Sequence, residues 1–357
     1  MQANCSDYLI FDAENGVYVE NPEQVVRDDV EKHHWLNVAR TVIKDWRLYL
    51  MLVPMILVFL FWRYFPMYEL LGCFKVTDPV KPVADQFYSG FSYFNTLIFG
   101  GTNPDISAEF WRAFRNTFLL SFYGLCFGFP MPIIIALFFN EVRSNVARSI
   151  YQVITYLPKF MSTVVMTSLV MMLVKQGSPT SLSENGGMGI LSQFLVAIGA
   201  VDKQTAFDGL MNNPSFFRGI YQISGIWETA GYDSIVFFAA IIAIAPTRYE
   251  AAQIDGAGKM AQMRYVVLPS ILSTIVIMLI TKIGTLLNIG YEKVLLLYNP
   301  NTYQTADVVS TFSLRNGVEG TMKGLASAAE MMNNVIGMLL VIGANTIARK
   351  ASNTSLY

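Results

Sequence analysis

Few residues in this chain are suited to chemistry, and several of them sit where an apolar chain should carry none. Glu228 and Asp233 lie inside one long hydrophobic stretch, IWETAGYDSIVFFAAI, with Trp227 and Tyr232 beside them, and Lys282 lies inside another. Ionisable groups in such surroundings are costly and are kept for function or for pairing. Carboxylates accept hydrogen bonds from hydroxyl groups, and aromatic rings stack on apolar C–H faces. Tyr123, Trp227, Glu228, Tyr232 and Asp233 therefore make a candidate lining for a polar path. Glu228 or Asp233 could equally pair with Lys159, Lys282 or a cation of another subunit and only hold helices together. Asn288, Tyr291, Glu292 and Lys293, just past the next apolar stretch, are further candidates, facing either the path or an outer partner.

Other chemistries are poorly represented. The cysteines Cys5, Cys73 and Cys126 and the adjacent His33 and His34 form no CxxC or HExxH pattern, so no standard zinc or redox site is expected. Gly258-Lys259 is followed by Met260 and lacks the first glycine of a phosphate-binding loop. Catalysis, a metal and a cofactor are therefore not expected in this chain, and any ATP and Mg would be bound by another one.

The composition is that of a membrane protein: 53% of residues are hydrophobic and 14% charged, against about 25% charged in soluble domains. A membrane helix needs about 20 mostly apolar residues. Six segments approach this, near 48–66, 117–140, 150–174, 219–245, 266–288 and 328–347. The expectation is an all-α protein with a six-helix membrane domain over 48–350. Pro130 and Pro132 predict a kink or break in the second segment. Lys and Arg are denser in the loops that lie inside if the N-terminus is inside, notably Arg40, Lys44 and Arg47, which orients the chain. Glu228 then falls roughly 13 Å below Gly219, near mid-membrane. The outer loops 67–116, 175–218 and 289–327 are long enough for short helices.

Residues 1–47 lack the apolar core and cleavage site of a signal peptide and read as a retained cytoplasmic extension. Asn15-Gly16 between two short alternating runs signals a hairpin. The acidic start followed by a basic stretch with Trp35 and Trp46 suits an amphipathic helix on the inner leaflet, and a disordered tail is the other reading. Residues 351–357 form a cytoplasmic tail.

Residues 246–265 break the apolar pattern and fall on the inner side. Thr247 and Glu250 have capping-box spacing. Ala251 and Ala252 leave little side-chain bulk, and Gly256 and Gly258 should interrupt the helix at roughly 1 kcal/mol each against Ala. Two short helices with a bend are expected. Asp-Gly-Ala-Gly at 255–258 offers only part of a dinucleotide fingerprint, with no strand before it. A passive connector is the plain alternative, although 20 residues is long for one.

Glu250-Ala251-Ala252, then Gly256, then Val266-Val267-Leu268-Pro269 resembles the EAA motif of ABC-importer permeases, with Val266 where Ile is usual. RYFPMYELLGCFK, YLPKF, GYEKVLLLYNP and the closing NTSLY are similar to the LplB-like group of polysaccharide and oligosaccharide permeases, related in fold to the maltose-system permeases. The resemblance covers the chain from about residue 45. It implies the type I importer fold of six membrane helices. It also implies a second permease completing the pore, two ATP-binding subunits, a lipid-anchored extracellular binding protein and an oligosaccharide cargo. The coupling segment would engage the ATPase through Glu250, Ala251, Ala252, Asp255, Gly256, Ala257 and Gly258. For Glu250, cap and contact remain alternatives. Acids in the path disfavour a highly anionic cargo unless a neighbouring Lys offsets them. A secondary transporter or channel for a small polar solute is the alternative, but it would need its own coupling-ion site and usually an internal repeat, and neither is visible. A bacterial cell-membrane location follows from the resemblance.

Overall fold

The computed structural model describes residues 9–12, 17–20, 44, 46–75, 87–101, 103–178 and 187–352, the two N-terminal runs by backbone alone. Most of the segment 32–47 and of the tail 351–357 lies outside the described residues. The chain divides into two units, 1–68 and 69–357. In the first, β1 (Leu9–Asp12) and β2 (Val17–Glu20) pair antiparallel with Asp12 opposite Val17. Helix α1 (Trp46–Phe59) begins an apolar helical run that continues to Phe74 and is long enough to cross a membrane.

The second unit is helical throughout its described residues, apart from one isolated bridge between Lys75 and Tyr88. Its first long helix departs from the kink expected at Pro130 and Pro132. Helices α2 (Pro104–Tyr123) and α3 (Pro130–Glu141) run on as one 38-residue span through a π turn at Gly124–Gly128. Pro130 has no N–H to donate, and its ring would clash with the carbonyl four residues back. The wider turn, in which Phe129 N–H donates to the Gly124 carbonyl at 3.1 Å, absorbs the mismatch.

The span expected over 150–174 is instead two helices. Helix α4 (Asn145–Tyr156) leads through a short 3-10 turn at Leu157–Phe160 into α5 (Thr163–Leu173), with a bend of 102°. Pro158 sits at the break, and the Ser162 hydroxyl accepts from Val165 N–H to start the new helix. Helix α6 (Pro214–Ile242) is continuous. After it come α7 (Pro246–Ile254) and α8 (Lys259–Gln262), whose continuation to Ser270 bends by 61° into α9 (Leu272–Gly284). Helices α10 (Tyr291–Leu297) and α11 (Val309–Ser313) precede the last long helix, α12 (Lys323–Ser352). Among the described residues four helices are long and apolar enough to span a membrane, and up to six spans result if each bent pair counts as one.

Without water to drive burial, helices in lipid associate through close packing and polar contacts. Both are present. A Cβ on Gly231 of α6 would lie 2.1 Å from the Thr155 carbonyl oxygen of α4, so only glycine permits that approach. Phe237 and Ile241 of α6 pack with Ala136 of α3 and with Val267 and Ile271, and Phe110 of α2 meets Phe312 of α11 edge-on at 5.9 Å.

A polar knot ties α2 to α6 and α11. Asn116 is buried, and its amide donates to the carbonyls of Gln304 and Asp307, each at 3.0 Å. Asp307 is also buried; it binds Arg315 through both oxygens, at 2.9 and 3.2 Å, and accepts from Thr311 Oγ1 at 2.8 Å. Removing one partner of such a group leaves a buried charge uncompensated. Asp307→Ala is expected to destabilise the protein by about 3 kcal/mol, read as a lower unfolding temperature of the detergent-purified protein. An unchanged unfolding temperature would mean the knot contributes nothing.

Candidate functional site

Helix α6 carries one polar stripe at helical spacing. Arg218, Gln222, Thr229 and Asp233 are spaced by four, seven and four residues along it, about one, two and one helical turns, which aligns them on one face. Two cavities lie along this stripe and share Gln222 and Ile226.

The first, of about 380 Å³, is bounded by the π turn, by α6, by α9 and by Lys293 of α10. Gly124 and Gly128 present bare backbone to it. A Cβ on Gly124 would sit 3.6 Å from Gln222 Oε1, and one on Gly128 would sit 3.8 Å from Ile226. Glu228 Oε2 and Lys293 Nζ form a 3.0 Å ion pair, both side chains largely buried. The Lys293 ammonium also lies 5.5 Å from the centre of the Tyr221 ring, a favourable cation–π distance. Gly225 leaves room for it, since a Cβ there would be 3.6 Å from Nζ. Asp233 lies within the electrostatic reach of Lys282 and Lys159. Lys282 lines the same cavity with Thr281 and Thr285.

Lys293 arrives here because the chain unwinds after α9. The carbonyls left unpaired between Thr285 and Gly290 are taken up by side chains of neighbouring helices. Ser121 of α2 donates to Leu286, Asn333 of α12 to Leu287 at 3.0 Å, and Ser310 of α11 to Ile289 at 2.8 Å. Within a membrane such exposed backbone needs these partners. The turn then starts α10 at Tyr291 and lays Lys293 against α6.

The second cavity, of about 550 Å³, has Tyr123, Phe127 and Met131 on one side and Arg218, Gln222 and Ile223 on the other. Its lining is almost wholly apolar apart from Arg218 and Gln222.

Of the residues expected on a path, Glu228 and Asp233 line the first cavity and Tyr123 the second. Trp227 is half-exposed and, nine residues beyond Arg218, lies about two and a half helical turns on, on the opposite face. Tyr232 meets Phe160 edge-on at 5.9 Å. These two, with the exposed Asn288, Tyr291 and Glu292, line neither cavity. The cation facing Glu228 is Lys293, rather than Lys159 or Lys282. Sequence reasoning missed Arg218, Gln222 and Thr229. Their spacing on α6 was the available signal.

The segment 246–265 has the two-helix form expected from its glycines. Gly256 adopts φ +77°, a left-handed conformation, with open space where a Cβ would be. The capping box does not form: the helix begins at Pro246, Ala245 precedes it, and no side chain caps it. Pro at the first helical position leaves no N–H there for Thr247 or Glu250 to satisfy. Glu250, Ala251, Asp255, Gly256 and Gly258 are exposed, while Ala252 and Ala257 are half-buried. Ile254, Met260 and Tyr265 expose large apolar surfaces beside them. Lys259 Nζ reaches Glu141 Oε2 at 3.1 Å and ties the segment to the end of α3, and Arg248 Nη1 donates to Ser270 Oγ at 3.0 Å. Burial raises the Tyr249 phenol above its ordinary pKa, and the Glu141 carboxylate adds to the effect.

Residues 128–291, which hold most of both cavities and all of this segment, match the family described as binding-protein-dependent transport system inner membrane component. Protein LplB of Bacillus subtilis (strain 168) is 32% identical over 314 residues, covering 88% of this chain and 92% of that protein. The polygalacturonan/rhamnogalacturonan transport system permease protein YteP of the same organism is 33% identical over 316 residues, with the same coverage of 88% and 92%. The crystal structure of a bacterial ABC transporter involved in import of the acidic polysaccharide alginate is 37% identical and superposes with a TM-score of 0.74 over 88% of this chain and 99% of that one. The alginate transporter in complex with an alginate pentasaccharide-bound periplasmic protein gives 38% and 0.75, over 89% and 99%. With the fold, the spans and these similarities in agreement, the chain belongs to the binding-protein-dependent family of ABC-importer permeases of the inner membrane.

Proposed function

We propose that this chain forms half of the translocation path of an ATP-driven importer for oligosaccharides that carry uronate units. A second permease completes the path, and two ATP-binding subunits hydrolyse ATP, with Mg, on the inner side. A lipid-anchored binding protein delivers the sugar from outside. The N-terminus and residues 246–265 are then cytoplasmic.

One observation carries the reading: a polar stripe on α6, flanked by aromatic and glycine surfaces, in a chain related over most of its length to sugar importers. Hydroxyl-rich cargo needs closely spaced polar groups: Thr229, Thr281 and Thr285, whose hydroxyls donate to carbonyls of their own helix, offer acceptor oxygens, and Gln222, whose amide donates to the Leu120 carbonyl, offers its Oε1. The acids do not bar an anionic cargo. Glu228 is neutralised by Lys293, and Asp233 shares its surroundings with Lys282 and Lys159. The first cavity is thus lined by two carboxylates, Glu228 and Asp233, and two ammonium groups, Lys282 and Lys293. Relatives that import polygalacturonan, rhamnogalacturonan and alginate favour the same cargo class.

In this reading residues 246–265 transmit force. Glu250 has no capping role to compete with a contact, and Ala251, Ala252 and Ala257 allow another backbone close approach. Ile254, Met260 and Tyr265 offer apolar anchorage, while the Lys259–Glu141 pair passes displacement to α3. Coupling of this kind is a two-state element biased from a distant site.

Gly256→Val should disturb that contact first. A β-branched residue at φ +77° is strained by about 1–2 kcal/mol, although space for it exists. The assembled importer should still purify, while substrate-stimulated ATP hydrolysis falls at least roughly tenfold, the effect of that strain on a coupled equilibrium. Wild-type stimulation in this variant would remove the segment from coupling.

The Glu228–Lys293 pair is a fastening of α10 to α6 rather than a sugar ligand. Lys293→Gln alone should destabilise the permease by about 3 kcal/mol or more, and adding Glu228→Gln should recover most of it. Thermal unfolding of both variants tests this, and a double variant no better than the single one would refute the fastening.

A further inference from the structure

Arg218 begins the polar stripe of α6, at the end remote from α7. Its guanidinium helps line the second cavity with Gln222, opposite Tyr123 and Phe127. Nη2 donates to Oδ1 of Asn116 at 3.0 Å. That acceptor cannot swing away, because Asn116 is buried and its amide nitrogen is bound by the carbonyls of Gln304 and Asp307. The guanidinium is thus held in place by a neutral group.

Its remaining bonding capacity is unused. A guanidinium has five N–H donors, and this one makes a single hydrogen bond among the described residues. Nε is buried without a partner. No carboxylate oxygen among the described residues lies within 4.0 Å of it, whereas Lys293 is opposed by Glu228 and Arg315 by Asp307. An unneutralised cation beside an apolar groove at the outer end of the span, with one of its N–H groups buried and unpaired, is costly unless it serves a ligand. A planar, oriented guanidinium with free donors is the group that binds carboxylates through paired hydrogen bonds.

We propose that Arg218, assisted by Gln222, is a recognition station for the carboxylate of a uronate unit. It takes the acidic sugar at the far end of the α6 stripe, about 15 Å along the helix from Glu228, before the chain reaches Thr229 and the Asp233–Lys282 region. The inference rests on the reading of this permease as an importer of acidic oligosaccharides, and adds the residue that senses the charge. A lipid phosphate is the other source of anionic oxygen that could reach the same guanidinium.

The test uses the whole importer, with its partner permease, ATP-binding subunits and binding protein, reconstituted in liposomes. Two probes are compared, a galacturonic acid trisaccharide and its methyl ester, which keeps the hydroxyls and removes the charge. For each permease the ratio of acid to ester uptake is measured at saturating sugar, so that selection by the binding protein cancels between variants. Arg218→Gln should lower that ratio about tenfold, the scale of one charge-assisted hydrogen bond, and Arg218→Lys should recover part of it. Gel filtration of each assembled complex separates this effect from failure to assemble. An unchanged ratio overturns the proposal, whether both rates fall together, as for a lipid or supporting role, or neither falls. A wild-type importer that takes up neither sugar sinks the cargo reading itself, an outcome distinct from an Arg218 variant with an unaltered ratio.

Discussion

Hydrocarbon offers an unpaired carbonyl no water, and that constraint governs where this chain can unwind. Several interruptions in the described helices are met by a side chain from elsewhere. Ser121, Asn333 and Ser310 receive the carbonyls released after α9. Arg148 donates to the Phe139 and Val142 carbonyls at the end of α3, at 3.1 and 2.8 Å, and stacks over Phe238. Where no such partner is at hand, as at Pro130, the helix widens into a π turn and keeps its bonds internal. The break after α9 lies where α2, α11 and α12 converge, and the cavity beside it has polar walls.

Charge follows the same logic. Asp307 is wholly buried, yet two oxygens, a hydroxyl and a guanidinium account for it. Glu228 and Lys293 satisfy one another, and the pair adds a polar fastening to α10, whose Val294 and Leu297 are already buried against Leu120 and Phe217. The broken end of α9 and this ion pair act together, since the unwound segment supplies the direction of approach and the pair supplies the anchor. A buried pair of this kind is weak evidence of stability by itself. Its significance lies in the register it imposes between two elements that both border a cavity.

The sequence made helix existence plain and helix continuity obscure. Apolar length located the long helices, but 150–174 was legible only as one span. Its division depends on Pro158 and Ser162, which signal a break without giving its angle of 102°. The coupling segment was legible in full outline because glycine acts locally: Gly256 turns left-handed whatever surrounds it. The capping box failed for an equally local reason, as Pro246 occupies the first helical position and leaves nothing for Thr247 to cap. In the cavities, Glu228 and Asp233 stood out as charges in apolar runs. Trp227 stood out as well, because composition does not reveal which way a side chain points. The partner of Glu228 is 65 residues away, beyond the reach of any local pattern.

The cavities and residues 246–265 are joined through α3. Its first turn follows the π turn that borders both cavities, and its last residue, Glu141, holds Lys259. A π turn carries one extra residue in its loop and is a frequent place for a helix to change shape at functional sites. Displacement of residues 246–265 therefore has a short physical route to the cavity wall, along a single helix whose other end is already widened. The same helix is packed on α6 by Ala136 against Phe237 and Ile241, so it cannot slide without shifting the cavity wall against the polar stripe. Interfaces packed this tightly favour discrete alternatives over continuous deformation. That is the behaviour a permease needs, because a path that opened by degrees would at some point be open to both sides.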